Sequence, residues 1–333
     1  MISNYVSKNE NLAQYYKLVQ VACEQIQSEY RNNIIPEIYA PVMFSLEIVD
    51  RPEISLLPFI SYSLFGDNLE SVVPQGVVYG KLLWGAGRTV DDVLDRDTHK
   101  NGSPTTLTKY GPNAAILSSL ELTSRAASYL IETSRSLDFE AHKIDRLVNL
   151  LTDHIRETTY GELNAIVLDK RISDGGYVSE DEVVEMLGYK VASWFYNPLA
   201  SGCLIAGVTE KDREIIKEFG MHLGIAYAIF NDIKDALRDF HDIMIGRANI
   251  VLTTTLNMTK GTSDETFLRR IIKNKSSNID LERVRKISEV AIKRLRGVME
   301  RRFSLAENQI SDLGGVRYPL ARKEMQDLLS LIK

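Results

Sequence analysis

The feature that most constrains the fold is the segment Val191–Gly207, which is apolar nearly all the way round. A helix without a polar face must lie at the centre of a protein or cross a membrane. The chain contains no uninterrupted apolar run of about 18 residues, the length that a membrane-spanning helix needs. We therefore expect no membrane span, and we predict that this segment is a central helix surrounded by other helices.

Helical periodicity extends over most of the chain. Ser179 followed by Glu182 forms a capping-box pattern, which predicts the start of one more helix. The other helical segments are predicted at Asn11–Arg31, Ile54–Phe65, Gln75–Leu94, Asn113–Thr133, Asp138–Leu168 and from Thr209 to Gly220, with a further one continuing towards Phe240.

Breaks and strand signals are few. The range Asn32–Pro41 holds two prolines and predicts a break, and Asn101–Pro104 predicts a loop. The β-branched run Asn249–Thr255 is compatible with a strand but has no partner of similar character. Because no Pro/Gly/Ser-rich linker divides the chain, we predict an all-α fold, a single large helical bundle formed by residues 1–333.

Charge and cysteine content exclude several classes of protein. The 333 residues carry a net charge of -5 with no basic block, which argues against a nucleic-acid partner. Cys23 and Cys203 are too few for a disulfide framework or a zinc site and suit a reducing compartment. Met1–Tyr16 lacks the apolar stretch of a signal peptide. We expect a cytoplasmic protein.

The first acidic motif, Asp91–Asp95, ends a long apolar segment. Asp91 and Asp95 are four residues apart and share one face of a helix, where like charges repel unless a cation binds. Carboxylate oxygens suit a hard cation, and Mg²⁺ is usually held by a few carboxylates together with substrate phosphates. The alternative is a solvated acidic helix end, but the apolar residues Leu82–Val90 place these acids, including Asp92, at the edge of a buried region.

The second acidic motif also ends a buried helix. Asn231, Asp235 and Asp239 follow each other at four-residue intervals, so they form one stripe of a helix. An asparagine amide oxygen is also a ligand for a hard cation. We predict that Asp91, Asp92, Asp95, Asn231 and Asp235 are catalytic, and that two facing acidic helices hold several magnesium ions around one diphosphate.

Four basic residues are candidate ligands for that diphosphate. Lys190 leads the apolar segment and needs a partner, whereas Arg247, Lys100 and Arg88 lie close to the acidic motifs. Arg88 has two predicted roles, pairing with Asp92 or reaching the diphosphate. Each cation taken singly has the alternative of an ordinary surface charge.

Taken in order, these motifs resemble those of the trans-isoprenyl diphosphate synthases, also called polyprenyl synthetases, over roughly residues 50–260. The resemblance implies an all-α bundle around a deep central pocket, a homodimer, an allylic prenyl diphosphate as substrate and about three magnesium ions. Two ions would bind Asp91 and Asp95, and the third Asn231, Asp235 and Asp239. The matching segments are Asp91–Asp95, Gly102–Thr105, Lys109–Gly111, Gly161–Glu162, Lys190–Ala192, Gly224–Asp239 and Gly246–Ala248.

Departures from the family pattern concern the second substrate, isopentenyl diphosphate. The family has Gly-Lys and two arginines where this chain has Asp50–Ser55, which contains Arg51 alone, and an arginine pair where it has Lys100 and Asn101. A diphosphate demands charge-assisted donors. We therefore put terpene synthase (cyclase) chemistry first, with a prenyltransferase as one alternative and a non-catalytic partner subunit as another.

The resemblance also predicts the substrate pocket. The positions before the first motif that set pocket depth in the family are small here, Gly85, Ala86 and Gly87, which favours a farnesyl, geranylgeranyl or longer chain. Tyr227 and Phe230 are predicted to contact the substrate, because aromatic faces stabilise cations. Other aromatic residues that could line the cavity are Trp84, Trp194, Phe195 and Tyr196, each of which is also compatible with ordinary core packing.

Overall fold

The computed structural model describes residues 10–32, 36–48, 52–100, 102–238, 240–274, 280–311 and 313, and these are predominantly helical. Within those ranges the only strands are β1 (His99–Lys100) and β2 (Ser103–Pro104), which pair antiparallel, so the all-α prediction is confirmed. The first helices are α1 (Glu10–Arg31), α2 (Pro36–Glu47), α3 (Pro52–Ser63), a 3₁₀ turn (Leu69–Val72), α4 (Val73–Val77), a first π-turn (Val78–Leu83), α5 (Trp84–Asp95), α6 (Thr106–Ser136) and α7 (Ala141–Ser173). They are followed by α8 (Glu180–Leu187), a second π-turn (Gly188–Ala192), α9 (Ser193–Ala206), α10 (Glu210–Arg238), α11 (His241–Ile245), α12 (Ile250–Met258), α13 (Ser263–Asn274) and α14 (Leu281–Ser311).

Contacts group the described residues into two compact units. The first contains the residues up to Thr152 together with Asn197–Glu214, and the second contains Asp153–Tyr196 and Ile215–Leu313. The single-domain organisation expected from the sequence stays a prediction. No helix in the described part of the chain has both the length and the apolar character needed to cross a bilayer.

In the first unit, α4, the first π-turn and α5 form one continuous helical path that packs against α1, α3 and α6. Gly80 allows a close crossing with α3, since a Cβ atom there would lie 2.6 Å from the Cα of Ser55. A π-turn is a wider turn with i→i+5 hydrogen bonds inside a helix. This path ends in the first acidic motif, so the packing of the π-turn and α5 on α6 positions Asp91–Asp95.

The second unit has its own apolar core, to which the C-terminal half of α10 contributes Ile225, Ile229 and Ile233 and α12 contributes most of its apolar residues. Helix α12 packs on α8 and α14, and every residue from Ile250 to Leu256 is buried. The second π-turn directly follows α8 and carries Lys190. The second acidic motif lies near the end of α10, so it is anchored by this core.

Several predicted elements are confirmed. Helices α1 and α3 lie where periodicity placed them, and Ile54–Tyr62 in α3 is buried throughout. The capping box is present, because the Ser179 side chain accepts from Glu182 N and the Glu182 side chain accepts from Ser179 N. Helix α6 changes direction at Gly111, whose φ of 84° is favourable only for glycine, and Pro112 follows it.

Other expectations are wrong. The possible strand at Asn249–Thr255 is instead helix α12 with Asn249 as its N-cap, because burial outweighs the strand preference of β-branched residues. The break predicted for Asn32–Pro41 is shorter, since α2 begins at Pro36 and includes Pro41. Helix α10 runs unbroken through Gly220, where a Cβ atom would lie 2.6 Å from the Cα of Tyr196.

Candidate active site

The first acidic motif occupies the C-terminal turn of α5, which ends where Arg96 adopts a left-handed φ of 58°. Asp91 and Asp95 are partly exposed, whereas Asp92 is only 1% exposed. The C-terminal end of a helix carries partial negative charge, so three carboxylates there repel both each other and the helix dipole. This arrangement requires nearby positive charge.

Lys100 supplies much of that charge. The β1–β2 hairpin turns the chain back, and the hydroxyl of Thr105, the N-cap of α6, donates to Asp97 O at 2.7 Å. The ammonium of Lys100 lies 3.2 Å from Asp91 Oδ2, 3.1 Å from Asp92 Oδ1 and 3.2 Å from Asp97 Oδ2. A cation is therefore accommodated between the carboxylates of the first motif.

Arg88 completes this group of charges. Its guanidinium lies 3.8 Å from both Asp91 Oδ2 and Asp92 Oδ1, so the predicted pairing with Asp92 is present. Burial raises the pKa of Asp92 to about 7, and the charge of Arg88 opposes that increase. Asp92 thus has the environment of a structural carboxylate, while Asp91 and Asp95 are the more accessible acids.

The donor set fits magnesium. Among the described residues no three His, Cys, Asp or Glu side chains are grouped closely enough to form a metal site by themselves. Mg²⁺ does not require such a cage, because it is commonly held by one or two carboxylates with waters and substrate phosphates. The Lys100 ammonium contacts one oxygen of Asp91 and one of Asp92, so both carboxylates face a positive charge.

The acids of the second motif have different surroundings. Asp232 Oδ2 accepts a hydrogen bond from Ile250 N at 2.9 Å, which caps α12, and burial raises the pKa of Asp232 to about 7. Asp235 pairs with Arg238 at 3.2 Å, and Asn231 is partly buried. Asp239, the third predicted ligand of this motif, lies outside the described residues.

Lys190 pairs with an acidic residue, in agreement with the expectation that a lysine leading an apolar segment needs a partner. Its ammonium lies 2.7 Å from Glu162 Oε2 on α7. The two segments approach closely because residue 161 is glycine, since a Cβ atom there would lie 2.6 Å from the Cα of Lys190. Glycine is needed at this crossing for packing, whatever the role of Lys190.

Arg247 lies in the turn between α11 and α12. Its guanidinium is 3.5 Å from Asp242 Oδ1, and the next residue, Ala248, donates its N–H to Asp169 Oδ1 at 2.6 Å. The Asn249 side chain extends this network, because it donates to Asp242 Oδ2 at 3.4 Å and accepts from Leu252 N at 2.7 Å. This part of the second unit is a connected polar network.

The predicted pocket residues divide between the two units. In the first, Ala86 is buried, Gly87 is partly exposed, and a Cβ at Gly85 would lie 3.3 Å from Leu122 and 3.5 Å from Ser45 O, so helix packing alone explains the small residue there. In the second, the rings of Phe195 and Tyr227 are tilted with centroids 5.3 Å apart. Phe230 is partly buried.

Sequence reasoning missed the roles of four acidic residues: Asp97, Glu162, Asp169 and Asp242. Two of them carried a usable signal, because Glu162 and Asp169 are seven residues apart and share one face of α7. The contacts of Asp97 and Asp242 depend on how the turns after α5 and α11 fold, which periodicity does not report.

Comparison with known proteins identifies the family of this chain. The chain is 26% identical over 272 residues to the geranylgeranyl diphosphate synthase of Sulfolobus acidocaldarius, covering 79% of this chain and 80% of that protein. It is 26% identical over 185 residues to the geranylgeranyl diphosphate synthase of Methanosarcina mazei, covering 56% of this chain and only 53% of that protein. The crystal structure of a decaprenyl diphosphate synthase from Rhodobacter capsulatus shares the fold, with a TM-score of 0.81 at 17% identity over 97% of this chain and 98% of that one. The polyprenyl synthetase family model matches residues 82–289, more than half of the sequence, and the chain therefore belongs to the polyprenyl synthetase family.

Proposed function

We propose that this chain is a magnesium-dependent prenyl diphosphate synthase, which ionises an allylic prenyl diphosphate and transfers the prenyl group to isopentenyl diphosphate. The observation that carries the proposal is the end of α5, where Asp91, Asp92 and Asp95 are grouped and the ammonium of Lys100 lies 3.1–3.2 Å from the first two. Relatives named geranylgeranyl diphosphate synthase favour chain elongation. Chain elongation is therefore the first candidate activity and terpene cyclase chemistry the second, which reverses the ranking expected from the sequence.

Each acidic motif is proposed to bind magnesium, through Asp91 and Asp95 in α5 and through Asn231, Asp235 and Asp239 at the end of α10. Bound magnesium would act as a Lewis acid towards the leaving diphosphate. The donors of charge-assisted hydrogen bonds to the diphosphate oxygens are proposed to be Lys190, Arg247, Lys100 and Arg88. Tyr227 and Phe230 present aromatic faces, which stabilise a carbocation.

Terpene cyclase chemistry remains a second candidate because of one observation at α3. The chain before and at its start, Asp50–Ser55, holds Arg51 as its single basic residue, and Ile54–Tyr62 is buried without any basic side chain. A second diphosphate needs several charge-assisted donors. Their scarcity here favours a reaction that uses the allylic diphosphate alone.

The two reactions are separated by incubating the purified protein with magnesium and geranyl, farnesyl or geranylgeranyl diphosphate, with and without isopentenyl diphosphate. Mass analysis should find a longer diphosphate only when isopentenyl diphosphate is present. A hydrocarbon or terpene alcohol formed from one allylic substrate alone would establish the cyclase instead. A protein inactive with every substrate would indicate a partner subunit.

A homodimer is part of the proposal. In the first unit, α6 exposes an apolar stripe formed by Ile116, Leu117 and Leu120, with exposed fractions of 43%, 64% and 62%. In the second unit, α7 exposes Tyr160, Leu163, Ile166 and Val167. Helices that bury the opposite face seldom keep such stripes in water, and the self-association of two copies would cover them.

A further inference from the structure

The turn that carries Arg247 is held from two sides by carboxylates. Gly246 adopts a left-handed φ of 77°, and Asn249 N donates to Arg247 O at 2.7 Å, so the backbone is sharply folded here. Asp169 accepts the N–H of Ala248 at 2.6 Å, and Asp232 accepts that of Ile250 at 2.9 Å. The two amides lie on either side of Asn249, so the chain can neither slide nor rotate without breaking one of these bonds.

The two carboxylates come from different helices. Asp169 is on α7 and Asp232 on α10; the Ile250 amide is the first of α12, whereas the Ala248 amide precedes Asn249, the N-cap of that helix. The first N–H groups of a helix have no partner within it, and the helix dipole favours negative charge at that end. Asp232 therefore stabilises the first turn of α12, while Asp169 holds the residue before its N-cap, and together they tie the start of α12 to two long helices.

Asp169 also lies on the face of α7 that holds Lys190. Glu162, two turns earlier, accepts from the Lys190 ammonium at 2.7 Å, and Gly161 beside it permits the close approach of the Lys190 backbone. One face of α7 thus contacts both segments that carry proposed diphosphate ligands. A residue that only stabilised the start of α12 would not need to share a face of α7 with Glu162, the partner of Lys190.

We propose that Asp169 is a positioning residue, which sets the direction of the Arg247 guanidinium by holding the Ala248 amide, with Asp232 holding the Ile250 amide. This inference rests on the proposed function, in which Arg247 binds the diphosphate. It also assigns Asp232 to the backbone of α12, whereas Asn231 and Asp235 keep their proposed role at the metal. Asp169 itself does not touch the substrate.

Simple electrostatics predicts the opposite effect of removing Asp169 on diphosphate affinity. Removing a negative charge close to Arg247 and Lys190 would strengthen the binding of an anion. If Asp169 instead positions Arg247, losing its acceptor oxygen weakens binding, whereas a neutral side chain that keeps the oxygen does not. Asp169→Ala removes the acceptor, and Asp169→Asn keeps it.

The test is calorimetric titration of the full-length protein with inorganic diphosphate in the presence of MgCl₂. Arg247→Gln should weaken binding roughly tenfold, as expected for one charge-assisted hydrogen bond. Asp169→Ala should weaken it by about threefold to tenfold, since positioning cannot contribute more than Arg247 itself. Asp169→Asn should bind within about twofold of the wild type, and adding Asp169→Ala to Arg247→Gln should cause no further loss.

Asp280→Ala is the matched control. Asp280 accepts the backbone N–H of Arg283 at 2.9 Å in the first turn of α14, so this variant also loses a bond between a carboxylate and a backbone amide and should leave diphosphate affinity unchanged. If Asp169→Ala does not fold, Asp169→Glu keeps the charge but displaces the oxygen, and it should weaken binding to a similar extent.

Two results would overturn the inference. The first is a variant without the Asp169 oxygen that binds diphosphate as tightly as the wild type or more tightly. The second is an Asp169→Ala loss that adds in full to that of Arg247→Gln. Absence of diphosphate binding by the wild-type protein would instead refute the proposed function.

Discussion

Replacing Gly161 with alanine tests whether the close contact between α7 and the second π-turn positions Lys190. A Cβ atom at residue 161 would lie 2.6 Å from Lys190 Cα and 2.8 Å from its Cβ, and it would also meet Lys190 N, whereas ordinary contact begins at 3.4 Å. Two of these neighbours are backbone atoms and the third is the Cβ bonded directly to the backbone, so none of them can rotate away. The second π-turn must therefore move by most of an ångström to admit the methyl group.

Two opposing effects determine the stability of Gly161→Ala. Alanine in a helix interior is worth about 1 kcal/mol relative to glycine, whereas overpacking a tight contact costs about 1–3 kcal/mol. The net expectation is a loss of up to about 2 kcal/mol, which lowers Tm by several degrees. Because a displacement of about 1 Å at a ligand can cost about a hundredfold in rate, kcat/KM for the allylic diphosphate should fall by about tenfold to a hundredfold.

The assay is thermal unfolding together with steady-state kinetics measured well below both melting temperatures. Gly297→Ala in α14 is the matched control, because the nearest atom to a Cβ there is Arg301 Nη1 at 3.8 Å, and it should raise stability by up to about 1 kcal/mol without changing the kinetics. A Gly161→Ala protein at least as stable as the wild type and equally active would refute the reasoning.

Three further expectations concern other parts of the chain. Asp91→Asn should lower kcat by about a hundredfold or more in the magnesium-dependent assay, as expected for losing a group that stabilises transition-state charge; a near-normal rate would contradict its role. Burial lowers the pKa of His154 from 6.5 to about 3, so acidification protonates only the unfolded chain. The contribution of His154 to the free energy of unfolding should therefore fall by about 2 kcal/mol between about pH 7 and pH 5. It is measured as the change with pH in the difference in unfolding free energy between the wild type and His154→Phe, which keeps a ring against Trp194; a difference that does not change with pH would contradict it. Leu120→Asp should convert the proposed dimer to monomer in light scattering, whereas Leu305→Asp on α14, also exposed, should not; an unchanged mass for both would count against the α6 stripe.

Much of the architecture could be predicted because its signals are local. The apolar pattern of Ile54–Phe65 and the capping box at Ser179 depend only on neighbouring residues, and both are confirmed. The resemblance to the polyprenyl synthetases is confirmed by the family match, and with it the expectation of an enzyme that uses isoprenoid diphosphates. That conclusion depended on the two acidic motifs taken in order with the other matching segments, from Gly102–Thr105 to Gly246–Ala248.

What could not be predicted depends on contacts between distant segments. The run Asn249–Thr255 has strand-like residues, but its burial on α8 and α14 makes it helix α12. Glu162 was recognised as part of a motif, yet its pairing with Lys190 requires the crossing at Gly161. The metal and diphosphate ligands themselves stay predictions, and so do the dimer, the chain length of the substrate and the cytoplasmic location.

The first π-turn has an evolutionary consequence. Each residue added to or removed from a regular α-helix rotates the rest of that helix by about 100°, whereas a π-turn is wider and takes up one extra residue within the turn itself. Deleting a single codon within Val78–Leu83 would therefore allow a regular α-helical turn there, whereas deleting one from α5 before the motif would rotate Asp91–Asp95 away from Lys100 and the hairpin that carries it. Natural variation in length should therefore be tolerated in the surface turns and in this π-turn, but absent from α5 between the π-turn and the motif.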